Sequence, residues 1–215
     1  MVYDLPLFPL NTVLFPGMPI SLHIFEERYK LMIGECVAKR RPFGVVLIKS
    51  GREANGPAEP QAVGCAAHIA QVQPLQDGRM NLIAIGHERF YIHTFHHDKP
   101  YLLATVENLP LRREEVAQPQ VGQLRKMLVR YLELLAAVGE VEFDMEKLPH
   151  DPLELAYLTA TLVQAPPPQK QELLVINREA ELVTAVYQTC RRELAILKSM
   201  AAATHPPHIG PFSLN

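Results

Sequence analysis

The residues best equipped for chemistry in this chain are histidines. His93-x-x-His96-His97-Asp98 gathers three imidazoles and a carboxylate in one short run, and neutral imidazoles with a carboxylate suit zinc. On a strand, however, His93 and His96 face opposite sides, and the cluster runs into a Lys99-Pro100 turn, so it reads as the polar end of a hairpin. His205-Pro-Pro-His208 lies close to the C-terminus. His23, His68 and His87 are isolated, with no carboxylate spaced for general base catalysis. Glu26-Glu27 and Glu114-Glu115 are neighbours in sequence and need not converge on one point. The serines are Ser21, Ser50, Ser199 and Ser213. None sits in a G-x-S-x-G elbow, and Ser50 points away from the adjacent Lys49 on a strand, which makes a poor Ser-Lys pair. A G-x-x-x-x-G-K-[ST] phosphate loop is absent. The expectation is a chain with no catalytic residue, no metal and no cofactor.

The elements that would position any site change character along the chain. Up to about residue 113, proline and glycine punctuate short runs rich in β-branched and aromatic residues: Phe43 to Lys49, Asn81 to Ile85, Phe90 to Phe95, and Tyr101 to Val106. Such runs read as a β-sheet or small barrel. Asp77-Gly78 supplies the positive φ of a tight turn and predicts an antiparallel hairpin between the runs on either side. One early helix is predicted from about Phe25 to Lys39, where Tyr29, Met32, Ile33 and Cys36 recur at helical spacing. Ser50 to Gln61 has little to bury and several chain breakers, and reads as a mobile surface loop.

After Glu114 the period becomes helical. Leu124, Leu128, Tyr131 and Leu135 share one face, and Asp151-Pro152 reads as a helix start, a carboxylate cap followed by proline at the first helical position. Ala165-Pro166-Pro167-Pro168 ends that helix. A short helix over Gln169–Ile176 and a long one from Arg178 to about Met200 follow. Strands first and helices afterwards predict an α+β protein. Its parts would be a β-rich subdomain over residues 1–113, a helical bundle over 114–200, and a tail over 201–215.

Bulk properties bound the partners. The chain has 215 residues, 48 % of them hydrophobic and 20 % charged, with a net charge of −2, the balance of an ordinary globular protein. Nucleic acid is not expected as a partner. The basic runs Lys39-Arg40-Arg41, Arg112-Arg113 and Arg191-Arg192 read as solvated faces. No run approaches the roughly 20 apolar residues of a membrane span, and the N-terminus lacks the pattern of a secretory signal. Cys36, Cys65 and Cys190 are odd in number, far apart and never in a C-x-x-C pair. That argues against a disulfide framework or structural zinc and suits a reducing compartment. A soluble, cytoplasmic protein is expected.

The opening run Leu5-Pro-Leu-Phe-Pro-Leu-Asn-Thr-Val-Leu-Phe-Pro-Gly-Met-Pro-Ile20 resembles the start of the Lon protease N-terminal domain, L-P-L-F-P-L-x-x-V-x-F-P-G-x-x-x-P-L, with Pro19 about two residues early. His23-Ile-Phe-Glu-Glu-Arg-Tyr29 resembles the family's H-I-F-E-x-R-Y segment. Val63-Gly64-Cys65-Ala66 through Asp77-Gly78 is similar to its G-x-x-A-x-I strand and D-G turn. Ile85-Gly86-His87-Glu88-Arg89-Phe90-Tyr91-Ile92 is similar to its G-x-x-R-x-x-I strand, and Tyr101 to Glu107 to the strand that closes its sheet. Asp151-Pro152, Leu155-Ala156 and Lys170-Gln171-Glu172-Leu173-Leu174 resemble its bundle. The resemblance runs from Leu5 to about Lys198.

It implies a PUA-like β-rich pseudo-barrel subdomain beside a small helical bundle. It also implies a stand-alone Lon-domain protein, without the ATPase and Ser-Lys peptidase modules that follow in Lon proteases. In that family the domain helps to capture damaged or unfolded polypeptides and supports assembly. The corresponding expectation is a non-catalytic module that binds unfolded polypeptide or a specific protein partner. Its candidate apolar contacts are Phe8, Phe15, Met18, Phe25 and Tyr29, with the Ser50–Gln61 loop as a second candidate. Two alternatives belong to other classes. An RNA-binding PUA-like protein would need a continuous positive face, and an enzyme would need a deep pocket bringing His93 or His96 to an acidic group.

Overall fold

The computed structural model describes residues 1–51, 58–139, 144 and 147–204. Seven strands precede most of the helix: β1 (Val2–Leu10), β2 (Pro19–Ile24), β3 (Phe43–Gly51), β4 (Ala58–Pro60), β5 (Val63–Pro74), β6 (Met80–His96) and β7 (Leu103–Asn108). The helix α1 (Glu27–Lys39) lies between β2 and β3. Then come α2 (Gln118–Gly139), α3 (Pro152–Leu162), α4 (Pro167–Val175) and α5 (Glu179–Thr204).

The strands run in the order β1-β7-β6-β5-β3-β4, and an added pairing of β1 with β3 closes the ring. That closing pair is parallel, Leu7 opposite Gly44 to Leu10 opposite Leu47, while β1 pairs antiparallel with β7 along its first half. These ladders join β1, β7, β6, β5 and β3 into one ring. Leu5, Leu7, Val46, Phe90, Ile92 and Val106 fill the barrel. A second cluster, including Phe8, Ile24, Tyr29, Met32, Ile33 and Phe43, lies beneath α1.

Local signals formed as their chemistry requires. β5 and β6 pair antiparallel across Asp77-Gly78, with Gly78 at φ 77°. The Asp151 carboxylate accepts from the Glu154 backbone N–H at 2.9 Å and also receives Arg113, so Arg113 holds its carboxyl below the usual range despite partial burial. Tyr29, Met32, Ile33 and Cys36 are the buried stripe of α1. The three cysteines are free and buried, and burial pushes the thiols of Cys65 and Cys190 up to about 12.

Two boundaries move. Ser50–Gln61 is not loop throughout: Ser50 and Gly51 end β3 and pair with Glu59 and Ala58 of β4. Glu59 accepts from Lys49 Nζ and Ser50 Oγ, each at 2.8 Å. Positions 52–57 of that expected loop lie outside the described residues. At the other end α5 continues to Thr204, so the expected tail from Ala201 begins as helix; its positions 205–215 lie outside the described residues. The alanine run 201–203 favours continuation of the helix.

The β-rich and helical parts share a seam. Phe15 is fully buried in the helical cluster beside Val63, its ring 5.9 Å from that of Tyr157. β6 crosses close under the segment carrying Phe15. A Cβ added at Gly86 would stand 2.3 Å from the Phe15 carbonyl oxygen, so only glycine fits there. Three residues on, Arg89 is 3 % exposed. It donates to the carbonyls of Leu174, at 2.7 Å, and Ile176, and to Asn177 Oδ1 at 3.3 Å. Gln171 Nε2 donates to the Val63 carbonyl at 2.9 Å.

Arg89→Met leaves buried carbonyls at the end of α4 without a donor, each worth about 1–3 kcal/mol; the expected loss in urea unfolding is about 3 kcal/mol. Arg89→Lys should recover part of it, and an unchanged midpoint in the Met variant would contradict this account. Asp151→Ala should cost about 1 kcal/mol as a lost helix cap. Because the folded carboxyl titrates low, the stabilisation by its charge is complete above the usual carboxylate range and is lost as the pH falls through that depressed value. The difference from Asp151→Asn should therefore narrow in acid, as followed by unfolding between pH 7 and pH 2.

Candidate functional site

Three of the five aromatic and methionine candidates meet in one place. Phe8 near the end of β1, Phe25 just after β2 and Tyr29 in the first turn of α1 line a cleft of about 280 Å³. That is small beside the usual pockets for organic ligands, and of a size for one or two side chains. The floor is rigid aromatic surface. Phe8 stacks on Tyr29, with ring centroids 4.0 Å apart and planes inclined by 13°, and Phe43 abuts Phe8 at 6.4 Å. The guanidinium of Arg28 stands over the Tyr29 ring at 4.5 Å, a cation–π contact, and Arg28 Nε donates to Glu26 Oε2 at 2.9 Å.

Phe8 and Tyr29 are 6 % and 5 % exposed, whereas Phe25 is 53 % exposed. Strand alternation is the cause. Ile20, Leu22 and Ile24 of β2 turn inward, and the opposite phase, continued by Phe25, turns to solvent. The His23 ring lies 6.2 Å from that of Phe25. Its Nδ1 is 2.9 Å from Asn81 Oδ1 and its Nε2 is 3.4 Å from Arg79 Nη1, which fits the tautomer that donates to Asn81 and accepts from Arg79. Charges near the cleft pair with one another, Glu26 with Arg28 and Glu27 with Lys30, over an apolar floor.

The other two candidates are elsewhere. Phe15 meets no solvent, at 0 % exposure; the seam between the halves claims its ring, which corrects the expectation of an exposed contact. Met18 is half-buried and packs against both neighbouring clusters outside the cleft lining. Ser21, Leu22 and Ile24 line the cleft and were not among the expected contacts. The alternation of Pro19, Ser21 and His23 with Ile20, Leu22 and Ile24 is the pattern that marks them.

The histidine cluster is arranged differently from its sequence reading. A bulge between Ile92 and Thr94 inserts a residue and shifts the phase of β6. His93 therefore reaches Glu107 Oε2 at 3.1 Å, and His96 reaches Thr105 Oγ1 at 2.8 Å. Glu107 and Thr105 stand two apart on β7, so both imidazoles lie on one face rather than opposite faces. Asp4 Oδ1 is 3.8 Å from His96. These side chains are 41 % and 36 % exposed, on open sheet surface. Among the described residues, no three His, Cys, Asp or Glu side chains converge to hold a metal. No helix among them is long and apolar enough to cross a membrane.

The chain is similar in sequence to a Lon protease of Syntrophus aciditrophicus, 28 % identical over 178 residues that cover 79 % of this chain and 22 % of that protein. It is 26 % identical to a Lon protease of Anaeromyxobacter dehalogenans over 199 residues, covering 90 % of this chain and 24 % of the relative. It thus spans about a quarter or less of the length of these relatives. Its fold superposes on the crystal structure of a Lon N-terminal domain protein from Xanthomonas campestris with a TM-score of 0.67 and 25 % identity, covering 85 % of this chain and 95 % of that one. The N-terminal domain of a Lon protease from the Mycobacterium avium complex gives a TM-score of 0.65 at 17 % identity, over 88 % of this chain and 98 % of that domain. The model of the ATP-dependent protease La (LON) substrate-binding domain matches residues 4–188, and the chain belongs to that family.

Proposed function

We propose that this chain is a non-catalytic recognition module that holds apolar side chains of unfolded polypeptides, or of a specific protein partner, in the cleft between β2 and α1. The observation that carries this reading is a half-exposed Phe25 standing beside a floor of buried, stacked rings. Exposed aromatic surface beside a rigid apolar recess is what an incoming apolar side chain can cover with little loss of order. The family's description as a substrate-binding domain supports the same reading.

Support against a nucleic-acid partner comes from the engagement of several basic side chains by carboxylates. Arg113 is engaged by Asp151 and Glu179, and Arg178 by Glu114. Lys39, Arg41 and Lys99 gather on Glu35, whose carboxyl the Lys99 ammonium holds below the usual range. Three free, buried thiols fit work in a reducing compartment such as the cytoplasm.

Phe25→Ser should weaken binding to a fluorescently labelled unfolded protein about tenfold or more, the equivalent of the roughly 1.5–3 kcal/mol gained on burying a phenylalanine. The urea midpoint should hold, because Phe25 is already largely in water. Anisotropy titrations should show little salt dependence and no binding to the same protein when folded. Bound chains should stay intact with or without ATP. Equal affinity of wild type and Phe25→Ser would remove the cleft from the reading, and cleavage of the bound chain would end the non-catalytic assignment.

A further inference from the structure

The strand β2 is an edge. Among the described residues its ladder partner is β6 alone, from Pro19 opposite Ile85 to Ile24 opposite Met80. In an antiparallel pair, successive residues alternate between turning their N–H and C=O toward the partner and away from it. The Gly86 N–H donates to the Met18 carbonyl at 2.9 Å. Continuing that register by twos puts Met18, Ile20, Leu22 and Ile24 in the phase bonded to β6. Pro19, Ser21 and His23 then fall in the other phase, with their backbone groups directed away from β6. Pro19 has no N–H to offer and blunts one end of this edge. Ser21 and His23 keep both donor and acceptor.

The cleft lies along this edge. Every residue from Ser21 to Glu26 borders it, with Phe8 and Leu10 among those on its far wall. Consecutive residues border a groove that follows a strand, whereas a groove on a sheet face would touch every second one. Backbone donors and acceptors therefore stand beside an apolar recess, at the two-residue period of an extended chain.

We propose that the free edge of β2 takes up an extended polypeptide segment as an added strand, hydrogen-bonded through Ser21 and His23, with one apolar side chain of the segment set against Phe8 and Tyr29. This rests on the cleft being the polypeptide site and adds that the ligand is read through its main chain. It explains a preference for unfolded chains. A helix or a folded sheet has already used its backbone groups internally, while an extended segment presents them free. The recess selects an uncharged side chain, since a charge there would lose its hydration and Glu26 and Arg28 are already paired. Proline is excluded where the segment must donate to Ser21 or His23.

The test uses the full chain and a labelled seven-residue peptide alternating valine and threonine around a central phenylalanine. Two further peptides carry N-methyl groups on the amides of one phase or of the other. Binding should fall at least tenfold for one phase and stay at the parent value for the other. Equal binding of all three overturns strand addition while leaving the cleft as a side-chain site; binding by none overturns both readings.

Ser21→Pro removes an N–H that β6 does not use, and should lower peptide affinity about tenfold, one hydrogen bond's worth, at an unchanged urea midpoint. Should that variant be unstable, hydrogen exchange on the unaltered protein decides. The Ser21 and His23 amides should exchange fast when free and be protected by saturating peptide, and absence of protection overturns the proposal. A concentration-dependent dimer that protects the same two amides without peptide also overturns it, assigning the edge to a second copy.

Discussion

A guanidinium withdrawn from water must be surrounded by acceptors, and that requirement at Arg89 fixes how the two halves of this protein sit together. Its partners are not carboxylates. They are carbonyls where α4 ends, together with the Asn177 side chain, and the end of a helix is where backbone oxygens lack intrahelical partners and carry partial negative charge. Burial pulls the Arg89 pKa down, but arginine stays charged in proteins. The charge and the helix end thus satisfy each other, and neither can be moved without exposing the other to an apolar surround. Phe15, Gly86 and the Gln171–Val63 hydrogen bond complete the seam around this contact.

The cleft inherits its rigidity from the same arrangement. The β2 strand is tied to β6 along its whole length, and β6 also carries Gly86 and Arg89 into the seam. The strand bearing one wall of the site therefore rests on an element that the helices hold in register. The other wall is the end of β1, fixed by its parallel pairing with β3. The lip is where Phe25 stands in solvent. In the proposed site, a recess held in register beside an exposed rim would take one side chain without demanding a particular sequence on either side of it.

What could be read from the sequence was whatever is decided locally. The Asp77-Gly78 turn, the Asp151 cap and the apolar stripe of α1 follow from chemistry within a few residues, and each formed where its motif stands. Long-range features were opaque. Nothing in Phe8 or Phe15 distinguishes a ring beside a cleft from one in a domain seam, because burial is a property of what packs against the residue. Arg89 in a strand looks like a surface charge until its partner, distant in sequence, is known. The bulge beside His93 reversed a face assignment that strict alternation would make, since a single inserted residue flips everything beyond it. Of the five aromatic and methionine candidates named with the resemblance, Phe8, Phe25 and Tyr29 line the cleft. The β2 edge went unread because six residues of modest hydrophobicity between proline and a helix give a weak periodic signal.

The parallel closing pair has a consequence during synthesis. The β1 strand emerges before both of its partners; its antiparallel neighbour β7 pairs with it as far as Glu107, and chains elongate at about 5–20 residues per second. Leu5, opposite Ala104, waits roughly 5–20 s at those rates, whereas Leu7 and Phe8, opposite Gly44 and Val45 of β3, wait less than half as long. The segment that later walls the cleft begins life as an unburied apolar segment itself, exposed to whatever holds nascent chains until its own barrel can close.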